Sequence, residues 1–482
     1  MGQYKLVTSI RKWLFPHALL AASVLAGLCA LVWPDSMLSP NYLFNSDPTL
    51  HHIKGQLWMF TTHDLVSEQF ERGYMWDNMY DYHSESTTDF RTWVDHGSIF
   101  SILDVGWAKG NALWDGDAGI AANGKYYAYA PFDYEIGVLV SDNPAGPYAD
   151  ALGHPLVAKG AKGVTCKLLV SPSVIFDNGV PYLYFGWNGV DIVKLKPNMI
   201  ELAGPIIKVQ APDDFVESPI ITKIKGRYYL TYSNGGMWGE DKIPKPQIKY
   251  SIADNILGPY THPAVLQDIQ INPDEQGFKH KYASSAHQGL EWYKGQLYLA
   301  YQKDSHDGVH RHVCITKVNV HQDGTLGIID PNTDRGVVYG PINFVLDAYA
   351  PYKREAQEFN SRSGADEEQG IRQDYHFKMK NGGFLRFNHM DFADGPAGYR
   401  IAFSCENPAL KEGKVEFRLD TFDGLLIGAV PITFTGGKTN YVIRTGAVKK
   451  ISGTHDLFII ARGWGGDASD HLFNINWFTF TK

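Results

Sequence analysis

KGRYYLTY, residues 225–232, is a turn running into a strand. Lys-Gly offers a positive-φ turn, and the alternating aromatic run after it fits a half-buried strand, so the stretch reads as the second half of a hairpin. The same text returns as KGQLWMF from Lys54, NGKYYAYA from Asn123, NGVPYLYF from Asn178 and KGQLYLAY from Lys294. Further strands follow in several copies, IGVLVSD then NPAGPYAD and IKYSIAD then NILGPYTH, and DYHSESTTDFRTWVDHG plays this part in the first copy. A unit of roughly four strands repeated at intervals of tens of residues is the signature of a propeller blade, so five copies predict a five-bladed β-propeller. A long β-sandwich is the alternative, but it gives no reason for one text to return five times.

The repeat stops after GVVYGPINF, around Val337, and APYKREAQEF opens a segment of different texture. Its strands, among them GFLRFNHMDF, GYRIAFSCEN, KVEFRLDTFDGLLIGAVPI, NYVIRTGAV and HDLFIIARG, have the spacing of a β-sandwich. The expected chain is all-β, with a propeller over residues 40–340 and a sandwich over residues 350–482.

The 482 residues suffice for two or three domains, and 44% hydrophobic content suffices for their cores. With 52 acidic against 44 basic residues the net charge is -8, and no basic block tracks a phosphate backbone, which argues against a nucleic-acid partner. Aromatic content of 13%, including 27 Tyr and 12 Trp, suits surfaces that stack on sugar rings. A Gly-rich phosphate loop and a Gly-x-Ser-x-Gly elbow are both absent from the sequence, so no organic cofactor is expected.

Residues 1–33 read as a signal peptide or a membrane anchor. Lys5, Arg11 and Lys12 precede an apolar segment from Ala18 to Trp33, and Pro34-Asp35 ends it. A small-x-small cleavage site is not evident, and LAGLC, ending at Cys29, departs from a lipoprotein box at Leu28. The expected location is secreted or periplasmic, with membrane attachment through this segment as the other reading. Cys166, Cys314 and Cys405 are odd in number and lack metal-ligand spacing, so disulfides are not expected to hold the fold.

Inner strands of a propeller converge on its axis, so matching positions in different blades meet in one funnel. Asp47 precedes Pro48, Ser171 precedes Pro172, and Glu217 stands two residues before Pro219. Two carboxyl groups facing across a funnel are the equipment of a glycosidase, one activating water and the other protonating the leaving oxygen. Taken singly, Asp47 reads as a turn starter and Glu217 as a solvated rim residue. Their shared register favours the funnel.

The region from about Asn41 to Val338 resembles glycoside hydrolase family 43, especially its arabinoxylan arabinofuranohydrolase branch, through SDPTL, YHSESTTDFRTWVDHG, ANGKYYAYA, PSVIFDNGVPYLYFGW, KLKPNMIEL, FVESPII, GRYYLTYS and RHVCITKVNVHQDGTL. That resemblance implies a five-bladed propeller and an inverting mechanism, with Asp47 as base, Glu217 as acid and a second Asp that tunes the acid. The second Asp falls on Ser171, and a hydroxyl cannot raise the acid's pKa by like-charge repulsion. WDGDAG, with Asp115 and Asp117, brings one or two carboxylates near the funnel mouth where the family pattern has Trp and small residues. Either of them could supply the missing charge; the plain reading is an acidic turn. By the same resemblance His287 falls on a histidine at the axis beside a calcium, and Arg311 on an arginine at the pocket. His306, His310 and His312 look like a metal cluster, but their turn-strand context argues against one.

Residues from about Tyr352 to Lys482 resemble a family 6 carbohydrate-binding module, through REAQEF, VEFRLDTFDGLLIGAV, GTHDLFIIARG and LFNINWFTF. The resemblance implies a structural calcium at the REAQEF glutamates, Glu355 first, and at Asp420, with Asn476 where the family has its final Asp. Asn474 matches a sugar-contacting asparagine, Lys378 stands near the place of a stacking Tyr, and Phe377, Tyr441 and Trp464 offer an apolar platform or core packing. Together these imply an exo-acting inverting glycoside hydrolase that releases terminal sugars, α-L-arabinofuranose foremost, from plant or algal polysaccharide. The alternatives are a glycosidase for β-xylose or a galactose-type residue, and a binding protein that has lost catalysis at Ser171.

Overall fold

The computed structural model describes residues 44–64, 79–110, 113–235, 247–268, 287–304, 311–329, 342–369, 375–464 and 471–482. The segment read as a signal or anchor lies outside them, as do His306 and His310. The regular structure of the described residues is strand, apart from one short 3-10 turn at Ile102–Asp104.

Four antiparallel strands, Phe44–Ile53, Gln56–Asp64, Asp81–Thr87 and Thr92–Ser101 (β1–β4), form the first repeat. Asp117–Ala122, Lys125–Phe132, Glu135–Ser141 and Ala149–Asp150 (β5–β8) form a second sheet, and Ser173–Asp177, Val180–Phe185, Asp191–Lys194 and Ile207–Lys208 (β9–β12) a third. A fourth contains Glu217–Ile224, Arg227–Ser233, Gln247–Ala253 and Thr261–Asp268 (β13–β16). Gln288–Tyr293, Gln296–Asp304 and Arg311–Val318 (β17–β19) make a three-stranded sheet. All five expected hairpin turns are present: Lys54, Asn123, Asn178, Lys225 and Lys294 have φ between 48° and 53°, each followed by a positive-φ glycine. Two successive left-handed residues are what a two-residue turn needs to match strand twist.

The expected count of five blades needs correction. Four sheets of this propeller-like arrangement stand alone, β5–β8 through β17–β19. The first repeat does not, because Asn343–Asp347 (β20) pairs in parallel with β4 on one side and with a strand of the C-terminal sandwich on the other. Hydrogen bonding therefore runs unbroken through one 14-stranded sheet. The sandwich strands are Arg354–Glu355, Ser361–Gln369, Tyr375–Asp391, Gly398–Ser404, Lys411–Leu419, Leu426–Pro431, Val442–Ala447, Thr454–Trp464 and His471–Thr481 (β21–β29). Phe377, Met379, Phe387, Ile401, Phe417, Ile459 and Phe478 fill its core.

A buried ion network joins the sandwich to β3 and β4. Arg354, 1% exposed, donates from Nη1 to Asp95 Oδ2 at 3.1 Å and to Glu358 Oε2 at 2.5 Å, and from Nη2 to the Asp95 carbonyl at 2.9 Å. Beside it, burial and then Asp95 raise the Glu85 carboxyl to about 8. Cys166, Cys314 and Cys405 are buried free thiols.

Candidate active site

Where β1, β9 and β13 enter the axis, Asp47, Ser171 and Ser218 share left-handed backbone, with φ of 50°, 53° and 58°, and each precedes a proline. A residue before proline is ordinarily extended, so this geometry stores strain, of order 1–3 kcal/mol per residue, of the kind that clusters at functional sites. The register inferred from sequence shifts accordingly: Ser218, not Glu217, matches Asp47 and Ser171. Glu217 sits one residue earlier, at the bulge that re-aims β13.

All six expected funnel residues other than Asp117 come together. Arg311 donates through Nη1 to Asp47 Oδ1 at 3.0 Å, while its Nε and Nη2 grip the two oxygens of Asp64 at 2.9 and 2.6 Å. Thr62 Oγ1 donates to Asp47 Oδ2 at 2.7 Å, and the Asp47 amide donates to Gln302 Oε1 at 2.8 Å. His287 lies among three acids, with Nε2 3.7 Å from Asp47 Oδ1 and 3.8 Å from Glu217 Oε1, and Nδ1 3.1 Å from Asp115 Oδ2. Ser218 Oγ also contacts Nδ1. Burial alone would lower the His287 pKa, but Asp115, Asp47 and Glu217 overcome it and raise it to about 10, so the ring is an imidazolium at neutral pH.

Glu217 is raised to about 7, first by burial, against which His287 pulls down, and then by the charges of Asp115 and Asp47. Asp115 would itself be raised by burial, but His287 and Arg311 hold it below the ordinary carboxylate range and keep it ionised. Ser171 Oγ is buried without a well-formed hydrogen bond among the described residues, although its hydroxyl adds a little to holding Asp115 charged. A cavity of about 10 Å³ between Asp47, Asp115, Ser171, Ser218 and His287 is close to the smallest that admits one water.

The pair in WDGDAG is thus split, and neither acid is a solvated turn residue. Asp117, two residues along, pairs with His51 Nε2 at 2.6 Å and accepts from the Val174 amide at 3.0 Å, lining a separate cavity of about 560 Å³ with Glu291 and Trp292. Between the two acids, a side chain on Gly116 would meet the Tyr129 carbonyl at 2.3 Å, so only glycine lets the chain lie this close. Sequence reasoning missed Asp64, Thr62, Gln302 and Ser218. Only Ser218 carried a signal, the Ser-Pro pair in line with Asp47-Pro48 and Ser171-Pro172.

The residues expected to hold calcium have protein partners in this structure, Glu358 among them through Arg354. His287 is itself the cation among its acids. Glu355 is buried against the Lys353 ammonium at 2.6 Å, Asp420 is exposed beside His455 at 3.0 Å, and Asn476 brings no charge. Among the described residues, the groups with metal-ligand geometry are His63 with Asp81 and His83, and His83 with Asp95 and Glu358. His312 is buried against the Phe44 ring.

In the sandwich, the Asn474 side chain donates to Ser404 Oγ at 3.1 Å and the Lys438 carbonyl at 3.2 Å. Lys378 pairs with Glu368, Tyr441 bonds His376, and Phe377 is core. Of the platform residues, Trp464 alone stands out at the surface.

Comparison with known proteins agrees with this geometry. The family described as Glycosyl hydrolases family 43 matches residues 41–326, and Carbohydrate binding module (family 6) matches residues 355–482. An arabinoxylan arabinofuranohydrolase of Bacillus subtilis (strain 168) is 26% identical over 521 aligned positions, covering 96% of this chain and 97% of the relative. A beta-D-galactofuranosidase of Aspergillus niger is 27% identical over 58% of this chain and 81% of its own. Among solved structures, a family 43 beta-xylosidase/alpha-arabinofuranosidase from a compost microbial metagenome, in complex with xylotriose, superposes with a TM-score of 0.52 at 26% identity, covering 62% of this chain and 98% of its own.

Proposed function

The chain belongs to glycosyl hydrolase family 43 and is a glycoside hydrolase, and on that premise we propose that it is an exported, exo-acting, inverting enzyme that removes terminal α-L-arabinofuranose from plant or algal polysaccharide. The observation that carries the reading is the pairing of Asp47 and Glu217 around one imidazolium, with Glu217 raised to about 7. An acid with that pKa holds a proton to give at mildly acidic to neutral pH. Both carboxyl oxygens lie within 3.8 Å of His287 Nε2, so they are at most about 7.5 Å apart, which is compatible with the separation that leaves room for a water.

In the proposed step, Asp47 takes a proton from a water as its oxygen attacks the anomeric carbon. The glycosidic bond breaks on the opposite face, and Glu217 gives its proton to the departing oxygen. Arg311, fixed by Asp64, orients Asp47. Asp115 supplies, from the segment leading into β5, the negative charge that Ser171 lacks, and it does so at a distance while holding His287 charged. That both acids and their positioning partners are kept speaks for catalysis over mere binding. The sugar specificity is the finer part of the proposal. The whole-length similarity to an arabinoxylan arabinofuranohydrolase supports arabinofuranose, while the galactofuranosidase and xylosidase relatives keep galactose-type residues and β-xylose as the alternatives. A panel of nitrophenyl glycosides and polysaccharides tests it: the highest kcat/KM is expected on α-L-arabinofuranoside, and preference for another glycoside would overturn the sugar assignment.

A further inference from the structure

Trp464 ends β28 with 60% of its surface exposed, an unusual position for the largest apolar side chain. Beside it, Lys411 places its Nζ 5.3 Å from the indole centroid. The two residues are register partners on β25 and β28, and with Lys414, Arg462 and Pro431 they line a depression of about 690 Å³ on the outer face of the sandwich. The size suits one or two sugar rings.

The floor is cationic in excess of its own needs. Glu416 accepts Lys414 at 2.8 Å, Arg418 at 2.9 Å and Arg462 at 3.3 Å, so one carboxylate answers three cations. Burial would raise Glu416, yet these partners hold it at about 2. Of the residues that line the depression, Lys411, Lys414 and Arg462 are cationic and Glu412 is acidic, and Glu416 beside it is shared among Lys414, Arg462 and Arg418. An indole face takes the apolar face of a pyranose, and the surplus positive charge beside it takes an anion on the same ring.

We propose that this face binds an acidic polysaccharide, with a sugar ring on Trp464 and a uronate carboxylate among Lys411, Lys414 and Arg462. The inference builds on the reading of the chain as a polysaccharide-directed enzyme, but the site is apart from the funnel and from Asn474, whose amide is already engaged by Ser404 and Lys438. Such a site would hold the enzyme on uronate-bearing regions of its substrate.

The test uses the full chain carrying Glu217→Gln, so that turnover does not confuse binding, with calorimetric titration of glucuronate-bearing xylan and of the same polymer after carboxyl reduction. Binding about tenfold tighter to the acidic polymer, weakening with salt, is expected, and Trp464→Ala should remove about tenfold while Trp464→Phe keeps most of it. Lys414→Met with Arg462→Met should erase the preference for the acidic polymer. Equal affinity for native and reduced polymer would overturn the uronate assignment, and unchanged affinity in Trp464→Ala would overturn the site. Trp464→Ala in the otherwise wild-type chain should leave hydrolysis of a soluble aryl glycoside unchanged, and loss of that activity would overturn the separation of this site from the funnel; absence of hydrolysis in the unmutated chain would count against the proposed function, which loss of polymer binding alone would not.

Discussion

Replacing Asp115 by Asn removes one charge from the neighbourhood of Glu217 and leaves a side chain of the same size. The carboxyls of Asp115 and Glu217 approach opposite nitrogens of His287, at 3.1 and 3.8 Å. Across the ring that is a separation of roughly 8 Å, at which one unit charge is worth about 2 kcal/mol at an effective dielectric of about 20, or about 1.5 in pH. Asp115 raises Glu217, so its loss should lower the Glu217 pKa, and an imidazolium no longer balanced by Asp115 acts in the same direction. The alkaline limb of kcat/KM, which reports the acid in the free enzyme, should therefore move down by about 1 to 1.5 in pH. Adding Ser171→Asp to this variant should move the limb back up. Asp117→Asn should leave it in place, since Asp117 belongs to His51. An unmoved limb in Asp115→Asn, or an equal shift in Asp117→Asn, would refute the assignment of the charge to Asp115.

Asp47→Asn and Glu217→Gln should each lower kcat/KM by about 100- to 10,000-fold on substrates with poor leaving groups, with the circular dichroism spectrum unchanged; near wild-type turnover in either would misassign that role. Arg354→Met strands Asp95 and Glu358 in the seam between propeller and sandwich and should destabilise the protein by about 3–5 kcal/mol in denaturant titration, whereas a loss below about 1 kcal/mol would mean the network is not holding the seam. Glu85, at about 8 in the folded chain against an ordinary 4.5, keeps a proton that the unfolded chain gives up, so it increasingly opposes folding as pH rises from 4.5 to about 8. Glu85→Gln should accordingly raise Tm more at pH 8 than at pH 5 by calorimetry, and equal changes at the two pH values would contradict that.

The local part of the architecture was legible because it is written locally. Lys-Gly and Asn-Gly fix the hairpins through backbone conformation alone. The seam was not legible, since β20 pairs with β4 across some 250 residues and no repeat text announces such a pairing. For the same reason DYHSES and DHG, read as strand text of the first repeat, gave no sign that His83, Glu85 and Asp95 would be buried. Within the site, the Asp47 and Glu217 positions could be read from their prolines, but which acid of Asp115-Gly116-Asp117 faces Glu217 depends on how the chain packs on Tyr129. The shared left-handed turn at Ser218 was available in the sequence and was obscured by aligning on acids instead of on prolines.

In the proposed reaction Asp47 and Glu217 together hydrolyse a terminal glycosidic bond with inversion. Proton NMR of the first sugar released from arabinoxylan tests it most directly. The wild-type enzyme should give β-arabinofuranose before mutarotation, and Glu217→Gln should give none. First appearance of the α-anomer, or binding of the polymer without release of any sugar, would contradict it.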